Sequence, residues 1–197
     1  LLKSQGYRLV QDASSIIPWD CQLSEIGARL VHERAKTLDR MHQSLDFLYR
    51  SISPFGESLT VDYRSSALDE TVEETSRALV AAMAAKRAEE TSIGYTLIGP
   101  HRDQVIFNLD GRPVHKFGSK GQMKSVLLAW KLSEAKFLND RTGSHPVLLM
   151  DDVFSELDTK RANAVLNMIG NYGQSILATA RDTDLDLAGC GYEIIDL

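Results

Sequence analysis

Four apolar residues, Val147-Leu148-Leu149-Met150, run straight into two adjacent carboxylates, Asp151 and Asp152, and then into Val153-Phe154-Ser155-Glu156-Leu157-Asp158. A continuous apolar run of this kind reads as a strand buried on both faces, the type found in the parallel sheets of α/β proteins. Paired acids at its end place hard oxygen ligands at the carboxyl edge of the sheet, where such folds bind phosphates and magnesium. A core strand followed by a solvated turn has the same local pattern, so the surrounding sequence decides between the two readings.

About 25 residues upstream stands Phe117-Gly118-Ser119-Lys120-Gly121-Gln122. Behind it Met123, Leu127, Trp130, Glu134 and Phe137 step at helical intervals, with Val126, Ala135 and Leu138 widening the stripe, which predicts a helix over 122–138. Gly-Ser-Lys-Gly-Gln therefore opens a helix, where unpaired N–H groups and the helix dipole favour an anion. Glycine admits close approach of a phosphate, and the Ser119 hydroxyl and Lys120 ammonium add donors. An N-capped helix with a glycine-rich entry is the plain alternative.

Taken in order, Ser119-x-Gly121-Gln122 at a helix start, an acid-tipped strand and Ser155-Glu156-Leu157-Asp158 resemble the signature motif, Walker B strand and D-loop of an ABC-type ATPase. The fold class expected is α/β, the C-terminal part of such an ATPase head with a helical arm. The RecF family of bacterial DNA replication and repair proteins is a closer resemblance. It rests on Gly99-Pro100-His101-Arg102-Asp103 and on Leu148 to Asp158, with Pro18-Trp19-Asp20, Gly27-Ala28-Arg29 and Asp62-Tyr63-Arg64-Ser65-Ser66 as further landmarks.

This resemblance implies an ATP- and Mg2+-dependent protein of gap repair, recombination, replication restart and the SOS response. It would bind gapped DNA or single-strand/double-strand junctions as an ATP-induced homodimer, with partners resembling RecR and RecO. By the same resemblance Asp151 would hold the metal, Asp152 would stand where a catalytic acid orients water, and Ser119, Lys120, Gly121, Gln122 and Asp158 would face nucleotide. Arg102, Lys116 and Lys124 are the candidate DNA contacts. Another chromosome-maintenance or transporter ATPase, or a non-catalytic interaction module of the same fold, are the alternatives.

No Gly-x-x-x-x-Gly-Lys-Ser/Thr occurs in the sequence, and Gly121-Gln122-Met123-Lys124-Ser125 lacks the loop length to wrap a phosphate chain. Family members carry that Walker A loop nearer the N-terminus, and the sequence opens on Leu1-Leu2-Lys3. The expectation is therefore the C-terminal portion of a longer ATPase, inactive by itself. After Ser175 to Thr179 come Ala180 and Arg181, where many ABC ATPases place a γ-phosphate-sensing histidine.

Of 197 residues, 43% are hydrophobic and 25% charged, enough for a core in one or two domains. No apolar run reaches membrane-spanning length, so the cytoplasm is the expected compartment and no membrane partner is expected. Cys21 and Cys190 stand far apart, and the five histidines show no metal-ligand spacing, so neither a disulfide framework nor a zinc site is indicated. The net charge of −5 argues against wholesale attraction to nucleic acid, yet residues 102–136 hold seven cations against three anions.

Two regions are expected: residues 1–92 as a helical arm and 93–197 as the ATPase-head segment. Leu23, Ile26, Leu30, Leu38, Met41, Leu45 and Leu48 predict one helix over 23–52, and Val72, Leu79 and Met83 a second over 68–90. Leu59, Val61 and Tyr63 alternate as in a strand. Further strands are expected over 96–98, 104–109 and 113–116, with Asp110-Gly111 as the hairpin turn. Beyond the helix over 122–138, a strand over 147–150, a helix over 159–169 and strands over 175–179 and 191–197 complete the pattern.

Overall fold

The computed structural model of the chain describes residues 17–179 and 193. Of the expected strand over 191–197 only residue 193 is described, and the Ala180-Arg181 step and Cys190 lie outside the described residues. Among those described, the elements are α1 (Ile17–Ile52), β1 (Leu59–Arg64), α2 (Val72–Ile93), β2 (Gln104–Leu109), β3 (Arg112–Pro113), α3 (Val114–Phe117), α4 (Lys120–Thr142), β4 (Leu148–Asp151), α5 (Thr159–Ile169) and β5 (Ser175–Ala178). No helix among them is long and apolar enough to cross a membrane.

The chain divides into two compact units, one from Leu1–Asp39 with Tyr63–Val105 and the other from Arg40–Asp62 with Ile106–Leu197. In the first unit Ala28, Ala67 and Leu79 form a small core, with Val72, Ala78 and Ile98 packed against it. Helix α2 begins at Val72 rather than at 68 because Thr71 and Glu74 form a capping box, each side chain accepting from the other's backbone N–H at 3.1 Å. The strand expected over 96–98 does not form. The N–H groups of Leu97 and Ile98 both donate to the Glu90 carboxylate, at 2.6 and 3.3 Å, so a side chain takes the donors that a neighbouring strand would have used.

The N-terminal part of α1 turns a different face inward from the one its leucines suggested. Ser24, Gly27, Ala28 and Val31 are buried, whereas Leu23, Ile26 and Leu30 are exposed. Gly27 explains the choice: a Cβ there would lie 3.3 Å from Leu79 and 3.4 Å from Pro100, so the small-residue face is the one that packs closely.

The second unit holds the larger core, in which Leu45, Leu48, Tyr49 and Ile52 of α1 meet Leu59, Leu109, Val126, Leu132, Leu148, Met150, Phe154, Val165 and Leu166. Burying a side chain of this size contributes about 1.5–3 kcal/mol. Strands β1, β2 and β3 lie in that order in one sheet, β2 and β3 antiparallel, with Asn108 opposite Pro113 and Leu109 opposite Arg112. Asp110 and Gly111, at φ 46° and 77°, make the expected tight turn, because a two-residue hairpin loop of this hand requires both in the left-handed region. The return strand is shorter than expected, since the chain turns at Val114 into the one-turn helix α3.

Strands β4 and β5 pair in parallel, Leu148 opposite Ser175 and Asp151 opposite Ala178. Leu148 and Met150 enter the core, while Leu149 (75% exposed) and Ile176 (56% exposed) stand on the opposite face. The four-residue apolar run thus marks a strand whose second face is open among the described residues. Helix α4 departs from its expected stripe in a related way. Its buried face is Ser125, Val126, Leu128, Ala129, Leu132, Ser133 and Ala135, and Met123, Leu127 and Leu138 are exposed. With apolar residues on both sides, periodicity identifies the helix but not its inner face.

Candidate functional site

Helix α4 starts two residues before the expected position, at Lys120, because Ser119 caps it. Ser119 Oγ accepts from the Gln122 N–H at 3.2 Å, and Gln122 Oε1 accepts from the Ser119 N–H at 2.7 Å. This capping box satisfies two backbone donors and leaves the N–H groups of Lys120 and Gly121 without an intrahelical acceptor. The Gln122 amide also donates to Glu57, whose other carboxylate oxygen receives Tyr49 Oη at 2.7 Å and Ser53 Oγ at 3.1 Å. Burial and this bond to Glu57 push the Tyr49 phenol well above its ordinary range, so it remains a neutral donor.

The start of α4 is fastened to the segment after β4. Lys124 Nζ donates to the Asp152 carbonyl at 3.1 Å, and Lys120 Nζ lies 3.8 Å from Glu156. A Cβ on Gly121 would come 2.7 Å from Arg161 Nη1 and 3.5 Å from the Glu156 carbonyl, so glycine here permits direct contact between the two segments. The Asp152 carbonyl further accepts from Ser155 Oγ at 3.1 Å, and the Asp152 N–H donates to Ala178 of β5 at 2.9 Å.

These bonds hold Asp152 at φ 46°, a left-handed conformation that an L-residue with a side chain rarely adopts. Strain of this kind persists where the surroundings over-determine it, and it turns the chain sharply at the end of β4. The carboxylates of Asp151 and Asp152 are both exposed. Among the described residues no group of three His, Cys, Asp or Glu side chains could hold a metal ion. A pair of adjacent exposed acids suits magnesium, which typically takes one or two carboxylates and draws its other ligands from phosphate and water.

Asp158 caps α5, its Oδ1 accepting from the Arg161 N–H at 3.0 Å. Ser119, Lys120, Gly121, Gln122, Lys124, Asp151, Asp152 and Asp158 therefore all belong to one compact unit, with the α4 entry, the end of β4 and the α5 cap in contact. Lys116, exposed on α3, is in the same unit.

Arg102 belongs to the other unit and forms part of a self-contained turn. Its Nε and Nη2 donate to the Thr96 carbonyl at 3.1 and 2.9 Å, and its guanidinium carbon lies 5.3 Å from the centre of the Tyr95 ring. Arg34 donates to the Pro100 carbonyl at 2.6 Å, and Tyr63 Oη donates to Asp103. Burial and that carboxylate push the Tyr63 phenol up to about 12.

Two residues that sequence reasoning did not single out organise the site. Glu57 gathers Tyr49, Ser53 and Gln122, and Arg161 stands behind Gly121. Glu57 carries no motif that could have identified it. Arg161, three residues after the Asp158 cap, could have been noticed as a cation beside a glycine-bearing turn only once those segments were known to touch.

An acid-tipped parallel strand joined to a capped helix entry and followed by a second capped helix defines the class: the C-terminal part of an ABC-type ATPase head. No family model matches the chain. Among curated proteins, it is 37% identical over 164 residues to the DNA replication and repair protein RecF of Rippkaea orientalis, covering 82% of this chain and 43% of that protein. It is 41% identical over 166 residues to RecF of Herpetosiphon aurantiacus, covering 84% and 42% respectively.

Among solved structures, the recombination mediator protein RecF-ATPrS in the RecFOR pathway matches with a TM-score of 0.75 and 28% identity over 94% of this chain and 49% of that one. The corresponding RecF-ATP structure matches with a TM-score of 0.74 and the same identity, over 88% and 47%. The chain belongs to the RecF family. It spans about half the length of the curated relatives it matches, a share that fits a C-terminal portion.

Proposed function

We propose that this chain supplies the Walker B, D-loop and signature elements of a RecF-type ATPase that binds gapped or junction DNA as an ATP-induced dimer. The observation that carries the proposal is the fastening of the α4 entry to the end of β4, through Lys124 to the Asp152 carbonyl and Gly121 against Arg161 and Glu156. That fastening presents an anion-attracting turn and a metal-binding acid pair as one rigid unit. In such a dimer each unit serves two nucleotides: the acids act on the one held by their own subunit, and the turn closes on the partner's.

Asp151 binds magnesium in this reading, and Asp152 accepts a proton from, or orients, the attacking water. Magnesium contributes charge neutralisation on the phosphates. Asp152 is one methylene shorter than the glutamate common in ABC enzymes, and its backbone is left-handed at φ 46°. The shorter reach is compatible with slow, switch-like hydrolysis. The N–H groups of Lys120 and Gly121, left over by the capping box, receive the γ-phosphate in trans beside Ser119. Asp158 stands at the same seam. The RecF structures that this chain resembles were determined as RecF-ATP and RecF-ATPrS, which supports nucleotide at this site.

DNA contact is assigned to Lys116, with Arg102 and Lys124 as secondary contacts because their cations already serve the Thr96 and Asp152 carbonyls. RecR- and RecO-like partners and a cytoplasmic setting complete the proposal. One consequence concerns the 197 residues alone. They lack a loop to wrap the phosphate chain, so titration with labelled ATP and magnesium gives neither micromolar binding nor steady turnover. Tight binding by the isolated chain would mean that its phosphate site has been misplaced.

A further inference from the structure

We infer that Arg161 is a positioning residue, whose buried guanidinium sets both the geometry and the positive potential of the turn at the start of α4. The inference rests on the reading of that turn as a phosphate-facing element closing in trans. Arg161 is only 7% exposed, and a buried charge is costly unless it is well paired. Its pairing is thin. Nη1 is 3.5 Å from Asp158 Oδ2, a carboxylate that is itself half exposed, and Nε has no hydrogen-bond partner among the described residues. An aromatic face is also near, the guanidinium carbon lying 5.2 Å from the centre of the Phe55 ring.

The same Nη1 faces Gly121. Nη1 sits 2.7 Å from where a Cβ on that residue would be, filling the volume a side chain would take. The positive charge therefore lies directly behind the first turn of α4, where the N–H groups of Lys120 and Gly121 lack intrahelical acceptors. Its field adds to that of the helix dipole. An arginine needed only to brace α5 would be expected to engage a full carboxylate, and a buried pair of that kind is commonly replaceable by apolar packing. Here the carboxylate that Nη1 engages is half exposed and 3.5 Å away, so the charge beside the turn is only partly compensated. The same contact also binds the turn to Asp158, so movement of either segment is felt by the other.

The test uses a complete RecF-family protein carrying these residues, with Arg161→Met, Arg161→Gln and Arg161→Lys beside Ser119→Arg. Sedimentation measures ATP-driven association, a direct assay measures ATP binding to the monomer, and thermal melting monitors the fold. Monomer ATP binding stays at the parental level in every Arg161 variant. Arg161→Met and Arg161→Gln weaken ATP-driven association about tenfold or more, whereas Arg161→Lys, which keeps the charge, loses only about threefold. If Arg161→Met does not fold, Arg161→Gln provides the neutral comparison.

Parental association in the neutral variants, with Ser119→Arg defective, overturns the role of Arg161 and leaves the trans site standing. Parental association in Ser119→Arg as well overturns both. Equal losses in the lysine and neutral variants, accompanied by equal falls in melting temperature, reduce Arg161 to a brace and also overturn the inference.

Discussion

Ser119→Arg, introduced into a complete RecF-family protein carrying this chain, abolishes ATP-dependent association and leaves ATP binding to the monomer nearly intact. Ser119 is the N-cap of α4, and beside it the helix offers the backbone donors of Lys120 and Gly121. If a phosphate bound to the other subunit completes these contacts, a bulky side chain at the point of closest approach keeps the partner away. A mere capping defect has a different signature. Losing a serine cap costs about 1 kcal/mol of stability and lowers the melting temperature without touching association. Light scattering or sedimentation, run beside an ATP-binding assay and a melting curve, separates the two. Association by the variant at the parental ATP concentration would remove the α4 entry from the nucleotide site.

Asp152→Asn slows hydrolysis far more than it weakens ATP binding. The amide preserves size and polarity but cannot take a proton, and removing a positioned general base reduces rates by roughly 10²- to 10⁴-fold. Asparagine also tolerates the left-handed backbone that Asp152 adopts, so the fold is not disturbed. Asp151→Asn is the contrast, impairing metal-dependent binding and hydrolysis together. Single-turnover measurements that find Asp152→Asn as fast as the parent would show that Asp152 is not the catalytic acid.

Helix existence was legible wherever a long periodic segment was present, and the α5 boundaries matched residue for residue at Thr159 and Ile169. The inward faces were less legible. In the N-terminal part of α1 and in α4, large apolar residues such as Leu23, Ile26 and Leu127 stand on the exposed side, because close packing is set by Gly27, Ala28 and Val31 in one and by Ser125, Ala129 and Ser133 in the other. Small residues carry little weight in a hydrophobicity pattern, yet they decide how closely helices approach.

The missing strand over 96–98 shows a second limit, since its apolar character could not reveal that Glu90 would take the backbone donors. At the candidate site Ser119, Gly121, Asp151 and Asp152 stood out from local order, and Asp158 from the resemblance to the family's motifs. Glu57 and Arg161 were hidden because their roles arise from contacts between segments distant in sequence.

Nucleotide sites shared across two subunits make one requirement that a self-contained site does not. A subunit with Ser119→Arg retains its own acids, and one with Asp152→Asn retains its own α4 entry. Mixing the two therefore rebuilds one complete site per heterodimer, from Asp152 of the first and Ser119 of the second, and this unobstructed site, which the Ser119→Arg homodimer lacks, supports association. The decisive measurement is ATP hydrolysis by each variant alone and by the mixture, with heterodimer formation followed by sedimentation. Each variant is inactive alone and the mixture regains turnover if the turn and the acids act on nucleotide from opposite subunits. Heterodimers that form and remain as inactive as either variant alone would contradict it.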